Sequence, residues 1–211
     1  MYLYSTMRTY VEDASSAKPT PGGGSIAAAA GALGMSMACM AANFTVGKKK
    51  FQAVEGEVRK QLDACTKARD ELLRLMDEDT HAYAAVSAAY ALPKETAEEK
   101  GARTAAIQSA LVVAMDAPLK AVRACRAALR ATAALVEIAN PNLISDVGVA
   151  ALLCDAALRA AKLNVEINLN GLKDRTLVEK TRAEIEEAAA EGKTHAADVM
   201  TKVAKAVGGT I

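Results

Sequence analysis

FQAVEGEVRKQLDACTKARDELLRLMDEDTHAYAAVSAAYAL, from Phe51 to Leu92, contains no proline, and the chain meets its next one only at Pro93. A helix of about 40 residues at 1.5 Å per residue is on the order of 60 Å long. Within the stretch Val54, Val58, Leu62, Cys65, Leu72, Met76, Tyr83, Val86 and Tyr90 step by three and four once Ala68 fills the gap, which is one face of an α-helix. That stripe has to be buried against other helices, so the expected fold is all-α: an antiparallel helical bundle with one very long helix. A helix that outruns its neighbours projects toward a partner, which makes a homodimer the expected assembly.

Outward from this helix the same pattern holds. A short amphipathic helix is expected from Thr6 to Ala14, then a loop from Ser15 to Gly24, with Ser25 as the N-cap of a helix from Ile26 to Asn43. Thr96 and Glu99 have the spacing of a capping box for the following helix. Pro118 predicts a kink or break, with a helix from Pro118 to Ala139 after it. NPN, Asn140 to Asn142, is a turn signal; helices from Ser145 to Asn164 and from Asp174 to Val207 complete the chain. NVEINLN, from Asn164 to Asn170, alternates like a short strand, but the alanines before it and Gly171 after it favour continued helix.

Composition agrees. The 211 residues, expected to form one domain over 1–211, include 48 alanines, only 5 Tyr and 2 Phe, and no Trp, too few strand-forming residues for a β-sandwich or barrel. With 26 Lys and Arg against 25 Asp and Glu, the net charge of +1 provides no field for a polyanion, so no nucleic-acid partner is expected. Cys39, Cys65, Cys125 and Cys154 are isolated in Ala-, Leu- and Met-rich surroundings and read as reduced core thiols. Arg8, Glu12 and Asp13 stand where a secretory signal would have its apolar run, so a cytoplasmic protein is expected. Residues 19–47 form a run of 29 uncharged residues, long enough for a membrane span, but Ala and Gly dominate it, and a buried helix of small residues is the expected outcome.

Four features contradict their local surroundings. The long helix's stripe reaches Leu72 and Met76, then position 79, then Tyr83; position 79 is Asp, whereas Asp77 and Glu78 are expected to face solvent. A carboxylate on the core-facing side must pair, accept hydrogen bonds or have its pKa raised, and the last suits a general acid or base; a structural hydrogen bond to a neighbouring helix is the plainer alternative. PTPGGGS, Pro19 to Ser25, lets backbone approach a ligand at a helix N-terminus, or simply lets helices pack closely; without the lysine of a P-loop it is not one. Lys48, Lys49 and Lys50 attract carboxylates or phosphates, or else complement a helix C-terminus. Asn140, Asn142, Ser145, Asp146 and Asn164 form a polar group, with 146, 150, 153, 157, 160 and 164 on one helical face. They either satisfy one another across the bundle or read the donors and acceptors of a heterocycle.

His81 and His195 have no metal-binding spacing, no cysteine has a ligand-like neighbour, and the acidic run at 77–79 lies inside a helix, so no metal is expected. No nucleophile elbow or Cys/His arrangement is present either.

PGGGSIAAAAGALG with TVGKKKF, DEDTHAYAAV with LPKETAEEK, and NPNLISDVGVAALLCDAALRAAKLNVEINL with GLKD together resemble the formiminotetrahydrofolate cyclodeaminase/methenyltetrahydrofolate cyclohydrolase family, in order, over about residues 5 to 180. That family includes free-standing bacterial enzymes and one half of a bifunctional enzyme, and this chain looks like a free-standing form. The resemblance implies an all-helical homodimer acting on a tetrahydrofolate derivative, with no metal and no cofactor beyond the substrate itself. It places the catalytic carboxylate at Asp79, a glycine loop at Gly22, Gly23, Gly24 and Ser25, a cation for a folate carboxylate at Lys48 with Lys49 beside it, and polar positions near the folate at Asn142, Ser145, Asp146 and Asn164. A non-enzymatic helical adaptor is the alternative class, and a nucleic-acid binder built on Lys48 to Lys50 a third.

Overall fold

Small residues decide how the helices pack. In the computed structural model, which describes residues 1–208, the second helix, α2 (Gly23–Asn43), lies against α5 (Ile144–Leu169). A Cβ on Gly34 would stand 3.1 Å from the Ala150 carbonyl oxygen and 2.9 Å from Cys154 Sγ; one on Gly31 would press Ala157. Gly23, at the head of α2, meets Asn164 near the end of α5. Rising numbers on one helix against falling numbers on the other make the pair antiparallel. Glycine and alanine at the seam bring the two backbones closer than larger side chains would allow.

Around this pair stand α1 (Met7–Ala14), α3 (Glu55–Tyr90), α4 (Ala97–Ile138) and α6 (Arg175–Val207), and no strand occurs among the described residues. The core is filled by Met35, Leu72, Leu75, Leu129, Leu135, Leu158, Leu169 and Ile185, all essentially without exposure. All four cysteines are free and buried, and burial pushes the Cys65 and Cys125 thiols up to about 12, which keeps them unreactive. By length and composition α2 and α4 could each cross a membrane, but 61% of the apolar window of α2 is buried inside the bundle. On the outside, Arg123, Arg126 and Arg130 of α4 pair with Glu184, Glu187 and Glu191 of α6.

Several sequence expectations change. α3 has 36 residues, but α4 has 42 and α6 has 33, so three long helices replace the one. Pro118 does not break α4: the ring is buried and the helix runs through it, the lost amide leaving only the Ala114 carbonyl without its usual partner. Ser25 is not the N-cap of α2; that position is Gly22, and the helix already includes Gly23, Gly24 and Ser25. The long stretch expected to be helical from Phe51 begins inside a 3-10 segment, Lys49–Val54, and becomes α-helix only at Glu55. The Thr96–Glu99 capping box forms, Asp174 caps α6, and the alternating NVEINLN segment is helical.

If the α2–α5 seam is as tight as these distances indicate, Gly34→Ala destabilises by about 1 to 3 kcal/mol through overpacking. Gly101→Ala, where an added Cβ meets nothing within 4 Å, stabilises by about 0.5 to 1 kcal/mol through helix propensity. Urea unfolding midpoints of the two variants should move in opposite directions.

Candidate active site

The apolar stripe of α3 leaves the core at Asp79. Below it Val58, Cys65, Ala68, Leu72 and Met76 are buried; above it Tyr83 and Tyr90 are about half exposed, because α3 runs past the level at which α2 begins. Asp79 therefore stands where the bundle opens, half-buried, facing the first turn of α2.

That turn has no side chain with which to cap itself. Gly22 at the N-cap offers none, so one of the free amides of the helix start, that of Ser25, donates to Asp79 Oδ2 at 2.9 Å. The approach requires glycine next door: a Cβ on Gly24 would lie 2.1 Å from Asp79 Oδ1. Two opposed influences act on the carboxyl. Desolvation raises its pKa from the ordinary aspartate value, and the Ser25 amide bond pulls it back down. Desolvation prevails.

The opening above Asp79 is a cavity of about 590 Å³, within the range of small-molecule sites. Gly22, Gly23 and Thr20 form one wall; Tyr83, Val86 and Tyr90 of α3 a second; Leu111 and Ala114 of α4 a third; Asn164, Ile167 and Asn168 of α5 a fourth. Asp79 is the one charged side chain among these lining residues. Asn164 spends its amide Nδ2 on the Ala160 carbonyl at 2.9 Å, and Asn168 donates likewise to the Asn164 carbonyl at 2.8 Å, so each is oriented by its own helix with its side-chain oxygen left over. Flat apolar walls, a row of amides and one desolvated carboxyl suit a planar, nitrogen-rich ligand and a reaction that moves a proton.

Of the residues singled out from sequence, Gly22, Gly23, Asp79 and Asn164 line this cavity, Gly24 lies under the carboxylate, and Ser25 is fully buried and contributes its amide. Lys48, Lys49, Asn142, Ser145 and Asp146 are elsewhere. They sit at the other end of the α2–α5 pair, where the Asn140 amide donates to Thr45 Oγ1 at 2.8 Å. The 21 residues of α2 separate the two ends by roughly 30 Å. All but Asp146, which is half-buried, are exposed. Asp77, expected in solvent, is 3% exposed: the chain start folds over α3, and Tyr2 N and Leu3 N donate to its two oxygens at 2.6 and 3.4 Å. Tyr83, Tyr90 and Asn168 went unassigned in the sequence; the four-residue step from Asn164 to Asn168 was the available signal for the last. Among the described residues no three His, Cys, Asp or Glu side chains gather as a metal site.

Comparison with known proteins gives a consistent set. A family model described as formiminotransferase-cyclodeaminase matches residues 6–187. Methenyltetrahydrofolate cyclohydrolase of Methylorubrum extorquens is 43% identical over 186 residues, 88% of this chain and 89% of that protein. Formimidoyltransferase-cyclodeaminase of Rattus norvegicus is 35% identical over 94% of this chain, which spans only 37% of that longer protein. The crystal structure of formiminotetrahydrofolate cyclodeaminase from Thermotoga maritima matches with a TM-score of 0.79 and 30% identity, covering 99% of this chain and 98% of that one.

The raised pKa of Asp79 has a consequence for stability. The folded chain keeps this proton to higher pH than the unfolded chain, so stability falls as pH rises from the ordinary carboxylate range through the folded value. Asp79→Asn retains an oxygen acceptor for the Ser25 amide but no charge. Urea midpoints across pH should show the variant level with the parent in acid and more stable at neutral pH; parallel curves would mean that the carboxylate carries no burial cost.

Proposed function

The chain belongs to the formiminotransferase-cyclodeaminase family, and from that premise we propose that it is a folate one-carbon enzyme, a methenyltetrahydrofolate cyclohydrolase, a formiminotetrahydrofolate cyclodeaminase, or both on one site. The hydrolytic activity comes first because the bacterial cyclohydrolase is both 43% identical and matched over nearly its whole length. The observation that carries the proposal is Asp79: a carboxyl desolvated at the mouth of a ligand-sized cavity and held there by a helix amide.

Both reactions pass through a tetrahedral carbon and need one group to carry a proton. In the hydrolytic direction water adds to the cationic methenyl carbon and Asp79 takes its proton. Asp79 then gives a proton to the nitrogen whose bond to that carbon breaks, and the hydroxyl proton leaves to solvent as the formyl group forms. In the deaminating direction one folate nitrogen attacks the protonated formimino carbon carried by the other. Asp79 moves the proton from the attacking nitrogen to the amino group, ammonia departs, and the methenyl bridge remains. The reacting atoms belong to one ligand, so positioning supplies much of the remaining acceleration, and no cofactor beyond the folate substrate is invoked. We further infer a soluble, cytoplasmic protein with no nucleic-acid or membrane partner.

The split between the two ends of the α2–α5 pair has a natural resolution in a homodimer. Ile26 and Leu33 of α2, Phe44 just past its end, and Val149, Leu152, Leu163 and Ile167 of α5 are large, apolar and between 42% and 70% exposed. A second copy docked on these faces about a two-fold axis across the pair would set the Lys48–Asp146 end of one protomer beside the Asp79–Asn164 end of the other. Lys48 and Lys49 then meet folate carboxylates, and Asn142, Ser145 and Asp146 complete the polar wall.

Three outcomes test this. With methenyl- and formimino-tetrahydrofolate supplied separately, and methenyl absorbance and ammonia followed together, Asp79→Asn should turn over about a hundredfold more slowly or worse, with substrate binding retained. An unaffected rate removes Asp79 from the chemistry. Lys48→Ala should raise KM, more so for polyglutamylated folate. Mixing equal amounts of unfolded Asp79→Asn and Lys48→Ala chains and refolding them together should restore roughly a quarter of the parent rate at low substrate, since half the dimers then contain one intact site of two. No restoration means that each site is built within one chain.

A further inference from the structure

Ser25 sits at the third position of α2 and is fully buried, side chain included. Serines and threonines deeper in helices here turn the hydroxyl back to the carbonyl four residues earlier, as Ser36 does to Ala32 at 2.9 Å and Thr132 to Ala128 at 2.8 Å. Ser25 is too near the helix start for that bond, because four residues back is Pro21, outside the helix. Its hydroxyl instead shares a 2.9 Å hydrogen bond with the hydroxyl of Tyr10, itself 6% exposed. We infer that Tyr10 is a positioning residue for Asp79: through the Ser25 side chain it fixes the turn whose amide holds the carboxylate.

Tyr10 is in turn tied, through Tyr2, to the two elements that carry that bond. Its ring meets the edge of Tyr2 with centroids 5.3 Å apart. The Tyr2 amide grips Asp77 of α3, two residues from Asp79, and the Tyr2 hydroxyl, which donates to Asp13 Oδ2 at 2.9 Å, lies 3.2 Å from the Thr20 carbonyl just before the glycine loop. The start of the chain thus touches α3 and the head of α2 together and sets the gap across which Ser25 reaches Asp79. Removing the Tyr10 hydroxyl leaves the ring in place beside Met7 and Met76 but leaves Ser25 Oγ buried without its partner, so the first turn of α2 must shift or admit water.

The inference rests on Asp79 as the proton carrier. Few titratable groups lie around Asp79: Tyr10 from α1, which Asp77 of α3 also influences, and Tyr83 on the same helix as Asp79. The facing residues of α2, α4 and α5, namely Gly23, Ser25, Leu111, Ala114, Asn164 and Asn168, carry no charge.

Tyr10→Phe, Ser25→Ala and the double variant test it. Tyr10→Phe should lower kcat by about threefold to tenfold with KM nearly unchanged. The acid limb of its kcat–pH profile should move to higher pH, because a weaker Ser25 amide bond releases Asp79 to the desolvation that raises it. A carbon-13 carboxyl NMR titration of Asp79 should move the same way, and in the Ser25→Ala background Tyr10→Phe should add nothing further. An unmoved pH limb and titration, or kinetic losses that multiply in the double variant, overturn the inference even where Tm falls, since packing alone gives that pattern. If instead Asp79→Asn keeps the parent rate, it is the catalytic assignment that fails, while the NMR titration still decides whether Tyr10 governs the carboxyl.

Discussion

A single hydrogen bond, from the Ser25 amide to the Asp79 carboxylate, joins the head of one helix to the middle of another. The rest of the site depends on that bond. The helix start needs an acceptor because Gly22 supplies none, and the carboxylate needs a donor because desolvation works against its charge. Neither deficit is met within its own element. Glycine at 24 is the geometric condition for meeting both, since any side chain there would collide with Asp79. A sequence with three glycines at the head of a buried helix and an acid placed in an apolar stripe some fifty residues later is therefore one device written in two places.

How much of this was legible varies by element, for physical reasons. Asp79 could be found because a charge at position 79, in step with Met76 and Tyr83 of an apolar stripe, violates a period that the helix itself enforces. The helices and the Thr96 box were legible because local spacing decides them. Ser25 was misread as a cap: local rules favour serine at such a position, but a carboxylate from another helix already fills that role. Asp77 was misread because helical periodicity describes one helix and its neighbours, and the short 3-10 turn at Tyr2–Tyr4 that covers it carries no periodic signal at all. Tyr10 was invisible in sequence for the same reason, being a tertiary partner on a short amphipathic helix.

Lys48 and Asn142 illustrate another limit. Polar residues close in family motifs and in sequence need not share a cavity within one chain, and here the length of α2 keeps the two sets apart. A two-fold axis perpendicular to the α2–α5 pair would exchange its ends, so residues roughly 30 Å distant in one protomer can become neighbours across an interface without any change in either fold. The exposed leucines, isoleucines, valine and phenylalanine along both helices are the apolar surface such an arrangement needs to bury.

The cost of the arrangement falls on stability. A carboxyl taken from water and paired only with one amide disfavours its own charged form, and a bundle selected for stability alone would place an apolar residue at position 79, as the stripe does at Met76 and Tyr83 on either side. Such a replacement would leave the Ser25 amide without its acceptor and the cavity without its one charge. The long α3 makes the compromise tolerable: its lower half, from Val58 to Met76, is anchored in the core, so the half that carries Asp79, Tyr83 and Tyr90 can line an open cavity without having to contribute burial of its own. A shorter helix ending at the rim of the bundle would have to choose between packing its last turns and presenting them to a ligand; a helix that overshoots the rim does both on successive turns of the same face.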